Sequence, residues 1–297
     1  MERSQYTLKE AAEFSGVGIH TGQNGRVRIC PAAAGEGIRF KGRSEIIPAL
    51  AEYVVSTARS TALGKGEETI STVEHLLAAL WGLGIDNALI EFSGPEVPIL
   101  DGSAWPFVQG ILQAGLQQQD ALAEYLELET PVFVAKGDSL VLAMPAEMAS
   151  YEGAVYYPCE DVGLQRFRYS VYDDFAVNVA PARTFGFWSE VEQLLAKGLA
   201  LGGSLSNALI FGRPPGSVSA DEPIDKLAAK AGWKSPSGVP LRFFDEAVRH
   251  KVLDLIGDMA LLGHPLNAFI LAIKAGHSLH VDFVRKLDEV VQHVRDH

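Results

Sequence analysis

The chain has 297 residues, 47% hydrophobic and 21% charged, a globular composition that excludes intrinsic disorder. Its net charge of −12 sets an acidic surface against phosphate backbones, so nucleic acid is not an expected partner. Cys30 and Cys159 are the only cysteines, far apart and without a CxxC spacing, which argues against a thiolate metal site or a disulfide framework.

The first residues lack the apolar core of a signal peptide. The richest apolar stretch, 76–92, is broken by Gly82, Gly84, Asp86 and Asn87, well short of the roughly 18 apolar residues of a membrane span. A cytoplasmic protein of one large or two medium domains is expected. Residues 16–22 carry the glycine spacing of a strand and tight turn. Residues 26–30 alternate charged and apolar side chains as a half-buried strand does, bounded by Asn24-Gly25 and Pro31. Ser71-Thr72-Val73-Glu74 fits a capping box, and Leu76, Leu77 and Leu80 follow at helical spacing until 82–84. Residues 87–92 read as a strand, and 105–114 as a helix capped by Asp101-Gly102-Ser103.

The polar, glutamine-rich segment 115–128 is the expected boundary between domains 1–122 and 129–297. Beyond it, 139–143 and 167–172 read as strands, and 189–197 as a helix ended by Gly198. Residues 212–240, rich in Gly, Pro, Ser and Asp, read as a surface loop. The longest helix spans 245–262, followed by a strand at 268–273 and a closing helix at 281–294. Strands followed by helices in each half predict an α+β fold, each domain a sheet with helices on one face.

His250, Asp254 and Asp258 stand at i, i+4 and i+8 of the long helix, on one face. Val252, Leu255, Ile256 and Met259 form the apolar stripe beside them. Imidazole nitrogen and carboxylate oxygen are ordinary zinc ligands, and a catalytic zinc takes three protein ligands and keeps one open position. The same spacing also suits an ion pair on a polar face. His75 is the best third donor, with Glu74 bordering the site from another direction. Alternatively Glu74 closes the capping box and His75 packs as an interfacial histidine. His277, after Gly276 at a strand end, could reach the same cleft or belong to a turn. His20, His264, His293 and His297 read as structural or solvated. No P-loop, GxGxxG or HExxH motif supports nucleotide triphosphate, dinucleotide or zincin chemistry.

Nine segments in order make a more specific pattern: GVGIHTG (16–22), STARST (56–61), STVEHLLAAL (71–80), GIDN (84–87), DGSAWPF (101–107), ARTFGF (182–187), GGS (202–204), VRHKVLDLIGD (248–258) and KAGHSL (274–279). With them the chain resembles the UDP-3-O-acyl-N-acetylglucosamine deacetylases, zinc amidases that catalyse the committed step of lipid A biosynthesis. The resemblance implies two βα-sandwich domains facing one another with the active site between them. It implies Zn²⁺ on His75, His250 and Asp254, a donor set that Fe²⁺ also fits. It further implies Glu74 as general base, His277 as general acid oriented by Asp258, and Thr184 as support for the oxyanion.

Substrate contacts implied in the same way are Phe185 in the passage and Lys251 and Lys274 around the nucleotide and sugar, with Arg249 a weaker match. Tyr156 or Tyr157 would pack on the uracil. An insertion at about 186–212, containing Trp188, Leu194, Leu195, Leu199 and Leu201, would pass the acyl chain. The expected partner is the UDP-acyl-sugar, met by a monomer without a membrane span. Two departures stand out. His280 occupies a position where asparagine is expected, and Ser60 one where cysteine is frequent.

Overall fold

A computed structural model describes residues 3–159, 161–212 and 241–295. In the first part lie β1 (Ser4–Leu8), β2 (Ala12–Val17), β3 (Asn24–Pro31), β4 (Ile38–Lys41), β5 (Ile46–Pro48), β6 (Val54–Ser56), β7 (Ala62–Lys65) and β8 (Glu68–Ile70). Helix α1 (Glu74–Gly82), β9 (Ala88–Ser93), α2 (Trp105–Ala114) and β10 (Leu116–Leu122) follow. The main sheet here has the order β2-β3-β9-β4-β5. The alternation at 26–30 lies within β3, whose Val27 and Ile29 are fully buried. Strands β6, β7 and β8 form a separate small sheet.

The second part contains β11 (Leu126–Glu127), β12 (Val132–Lys136), β13 (Ser139–Pro145), β14 (Ser150–Tyr157), β15 (Gly163–Ser170), α3 (Phe175–Asn178), β16 (Phe185–Phe187), α4 (Trp188–Ala196) and β17 (Leu209–Phe211). It closes with α5 (Glu246–Met259), β18 (Leu266–Ile273) and α6 (His277–Arg295). Its main sheet runs β12-β13-β18-β14-β15, with β11 beside β18. Helix α2 packs on β2, α5 on β14 and β15, and α6 on β12 and β13. Between these layers α1 packs against α5. The mixed α/β architecture agrees with the expected α+β class. Among the described residues, no helix is long and apolar enough to cross a membrane.

Some local details differ from expectation. Within the segment 115–128, the expected boundary, β10 pairs antiparallel with β1, and β11 pairs parallel with β18. The capping box does not form. Helix α1 starts at Glu74 behind Val73, with no side-chain cap. Thr72, at φ +57°, instead turns its hydroxyl to Glu96 at 2.8 Å, while Ser71 donates to the Pro95 carbonyl. The final helix begins at His277, so this histidine opens a helix rather than ending a strand. The loop expected at 212–240 lies outside the described residues from 213 onward.

Helix α5 is buried nearly all round, polar side chains included, which a helix tolerates only when those groups are partnered. Its contact with α1 depends on Gly257. A Cβ there would sit 2.1 Å from the Glu74 carbonyl oxygen and 2.8 Å from its carbon. Backbone cannot yield as a side-chain tip can. We therefore expect Gly257→Ala to destabilise the fold by about 1–3 kcal/mol or more, read as a lower urea midpoint. Wild-type stability in that variant would show that the helices separate freely.

Candidate metal centre and catalytic cleft

The N-terminus of α1, the middle of α5 and the start of α6 converge on a cleft of about 470 Å³. Its walls include Glu74, His75, His250, Lys251, Asp254, Thr184, Phe185, Lys274 and His277. Asp258 lies behind His277, fully buried.

His75, His250 and Asp254 present ligand atoms all within 4.8 Å of one another. Asp254 Oδ1 is 3.2 Å from His250 Nε2 and 3.7 Å from His75 Nε2. Among the described residues that buried oxygen has no hydrogen-bond partner, and neither has the buried Nδ1 of His75. Orphaned polar atoms of this kind are costly unless something satisfies them. Each ring has its own geometry. His250 Nδ1 faces the Ala182 carbonyl at 3.1 Å, which leaves Nε2 for the cleft, as an outer partner does for a ligating imidazole. Burial pushes His250 down to about 3, against the pull of Asp254, so the ring is neutral. Asp254 is held well below its ordinary range, against the cost of burial, by the positive charge beside it, the Lys251 ammonium lying 2.7 Å from its Oδ2. Two imidazoles and one ionised carboxylate, with an unsatisfied oxygen between them, fit a divalent cation.

Beside this trio stands a carboxyl–imidazole pair. His277 Nε2 is 3.8 Å from Glu74 Oε1. Glu74 Oε2 accepts from the Thr61 backbone N–H at 3.0 Å. Burial pushes the Glu74 carboxyl up, tempered by His277 and His75. Its place at a helix start does not leave it an ordinary surface acid. His277 Nδ1 is 2.8 Å from Asp258 Oδ2. Burial and a helix N-terminus both oppose a cation there, yet the Asp258 and Glu74 carboxylates outweigh them and hold the ring up to about 9. Asp258 itself is lowered to about 2, against burial, by His277 and His280.

The other expected contacts sort by position. Thr184 and Phe185 line the cleft, and the Phe185 ring centroid lies 5.6 Å from that of Tyr157 and 6.2 Å from that of His250. Tyr157 also lines it, whereas Tyr156 is exposed beneath the Lys274 ammonium. Lys251 and Lys274 border the cleft, but each already holds a carboxylate, Asp254 and Asp138 respectively. Arg249 is off the cleft, bound to Asp245 and stacked on Phe167 and Phe243. In the expected acyl passage, Leu194 and Ala200 face the cleft with Ile19, Ile99 and Ala208. Leu199 lines a separate shallow depression, and Leu201 is 54% exposed.

Three residues in or behind the cleft were not expected. His20, read above as structural or solvated, is half-buried and lines the wall. Thr61 joins both halves of the carboxyl–imidazole pair, since its hydroxyl donates to Asp258 Oδ1 at 2.6 Å. His280 puts Nδ1 on Asp258 Oδ2 at 2.8 Å. Only the helical spacing of His280 from His277 could have hinted at the last.

A family model described as UDP-3-O-acyl N-acetylglycosamine deacetylase matches residues 5–224 and 227–289. The chain is similar to proteins named UDP-3-O-acyl-N-acetylglucosamine deacetylase from several bacteria. That of a Nostoc species is 42% identical over 95% of this chain and 98% of its own length. That of a Geobacter species is 41% identical over 95% and 88%. That of Chlamydia pneumoniae is 38% identical over 98% and 99%.

If the trio holds the cation, His75→Ala, His250→Ala and Asp254→Ala should each lower the metal content of purified protein and nearly abolish turnover. Elemental analysis decides this residue by residue. Full occupancy in any variant removes that side chain from the site.

Proposed function

Because the chain belongs to the UDP-3-O-acyl-N-acetylglucosamine deacetylase family, we propose that it hydrolyses the acetamido group of UDP-3-O-(3-hydroxyacyl)-N-acetylglucosamine. The products are the free amine and acetate, and the reaction is the zinc-dependent committed step of lipid A biosynthesis. The observation that carries this reading is the unsatisfied Asp254 oxygen between two imidazoles, set beside a carboxyl–imidazole pair.

His75, His250 and Asp254 would hold the zinc ion; bound there, it supplies a Lewis acid for the amide carbonyl and the attacking water. Glu74 takes a proton from that water. Its raised pKa suits a base that must later release what it accepts. Thr184 offers a hydroxyl to the oxygen that gains negative charge as the carbonyl carbon becomes tetrahedral. The C–N bond breaks only if its nitrogen is protonated, since an amide anion is a poor leaving group. His277, held as a cation by Asp258 and Glu74, gives that proton from Nε2. Lys251 keeps Asp254 ionised rather than acting on substrate alone.

Recognition of the remaining substrate divides between the walls. Lys274 and Tyr157 stand on one side for the polar, planar part of the nucleotide. Ile19, Ile99, Leu194 and Ala208 form an apolar strip for the acyl chain.

Acetate release from the UDP-acyl-sugar, with and without a chelator, tests the reaction. Failure of the metal-loaded protein to release acetate would refute it. Glu74→Gln should retain metal while losing about 10²–10⁴ in rate. In the wild type, kcat/KM should fall as pH rises through about 9, where His277 gives up its proton. A basic limb that persists in His277→Ala would assign the acid elsewhere.

For the acyl strip, Leu194→Asp should lower kcat/KM on acylated substrate at least about tenfold, since each methylene left uncovered costs about 0.8 kcal/mol. Affinity for UDP alone should not change. An equal loss for both would place Leu194 in the general packing of α4.

A further inference from the structure

Asp258 is a hub with three side-chain donors. Thr61 Oγ1 lies 2.6 Å from Oδ1, while His277 Nδ1 and His280 Nδ1 each lie 2.8 Å from the same Oδ2. An ionised carboxylate only accepts, so both imidazoles carry a proton on Nδ1. Their outer nitrogens differ. His277 Nε2 faces Glu74 Oε1. His280 Nε2 is buried and has no hydrogen-bond partner among the described residues. A proton there would be an unpaired donor on a buried cation, which is costly. Two histidines thus stand on one oxygen with their outer nitrogens in different surroundings.

Taking the deacetylase reading as its basis, we propose that His280 is a positioning residue: a neutral donor that, with Thr61, fixes the Asp258 carboxylate so that His277 keeps Nε2 aimed at Glu74. It also takes a share of the charge on Oδ2 that would otherwise act on His277 alone. The other groups facing His277 are Glu74 from α1, Asp254 from α5 and His20 from the turn after β2, while Lys251 of α5 acts on Asp254 and Asp258. None of these touches the shared oxygen, so the effect of His280 is separable from theirs. The same three side chains could be read as a second cation site. Their donor atoms, however, already close on one another at hydrogen-bond distance, and a cation would have to displace both protons.

The position needs a neutral donor at about the distance of Nδ1, and an asparagine amide nitrogen supplies one. We expect His280→Leu to move the basic limb of kcat/KM up by about one pH unit, the size of one lost charge-assisted hydrogen bond. kcat should fall by roughly threefold to tenfold with KM unchanged, because a more strongly held proton is given up less readily. His280→Asn should bring the limb back to its wild-type position. An unmoved limb in His280→Leu, or a limb still displaced in His280→Asn, overturns the proposal. Should the leucine variant fail to fold, the wild-type zinc-loaded enzyme decides the matter. With ¹⁵N-histidine labelling, His280 should show one neutral Nδ1–H tautomer across the neutral and alkaline range while His277 titrates. A titrating His280, a proton on its Nε2, or loss of the Nδ1–H signal on adding further zinc overturns it. The spectra do not depend on turnover, so absence of acetate release would refute the deacetylase reading and leave this test standing.

Discussion

The site depends on how closely α1 can approach α5. Glu74 and His75 open one helix, while His250, Asp254 and Asp258 lie along the other, and the two backbones meet where Gly257 lies under the Glu74 carbonyl. A side chain at that crossing would clash with the Glu74 carbonyl and push the helices apart by more than the tolerance of metal–ligand distances, about 0.2 Å. Everything polar in the cleft then follows from burying two helix faces that carry charge. The apolar residues around them, Leu76, Leu77, Leu253 and Ile256, contribute the favourable burial. The charged residues have to find partners in one another.

They do so with a consistent shortage of positive charge. Glu74, Asp254 and Asp258 are buried carboxylates at the cleft, and Lys251 and His277 are cations that face them. Lys251 neutralises Asp254 through Oδ2 only, so the opposite oxygen is left facing two imidazoles. A divalent cation placed there would answer both the charge deficit and the orphaned oxygen. It would also keep both rings in their neutral, ligating form, a requirement that burial of His250 already meets.

Those parts of the site written at helical spacing were legible in the sequence. His250, Asp254 and Asp258 share a face because a helix repeats every 3.6 residues, and the long apolar stripe beside them marked that helix. What escaped was set by distant neighbours. Thr61 reaches Asp258 across 197 positions, and nothing local to either residue announces the contact. The pattern at 71–74 has the composition of a capping box, but Glu96 offers Thr72 a buried carboxylate and Thr61 offers Glu74 a backbone donor. Those partners win over the local ones. Residues 116–122 look like a linker because their side chains are polar, yet a strand pairs through its backbone, and β1 supplies the partner. His277 was assigned to a strand end because Gly276 punctuates the chain, although Leu279 and His280 already donate backbone hydrogen bonds to the Gly276 carbonyl as a helix begins.

Asp254 and Asp258 show how two like side chains come to differ in what they leave open. They stand one turn apart on the same helix and are equally hidden from solvent. Both are ionised, each by a cation at 2.7–2.8 Å. The difference lies in how the second oxygen is used. For Asp258 it accepts from the Thr61 hydroxyl, and the first oxygen takes two donors, so both oxygens are engaged in orienting what the carboxylate already holds. For Asp254 one oxygen has no hydrogen-bond partner among the described residues, in a wall of the cleft. A carboxylate with both oxygens engaged fixes a geometry, whereas one with a bare oxygen invites a ligand. The contrast on α5 therefore follows from engaged and bare oxygens, and residue type alone, aspartate in both places, does not produce it.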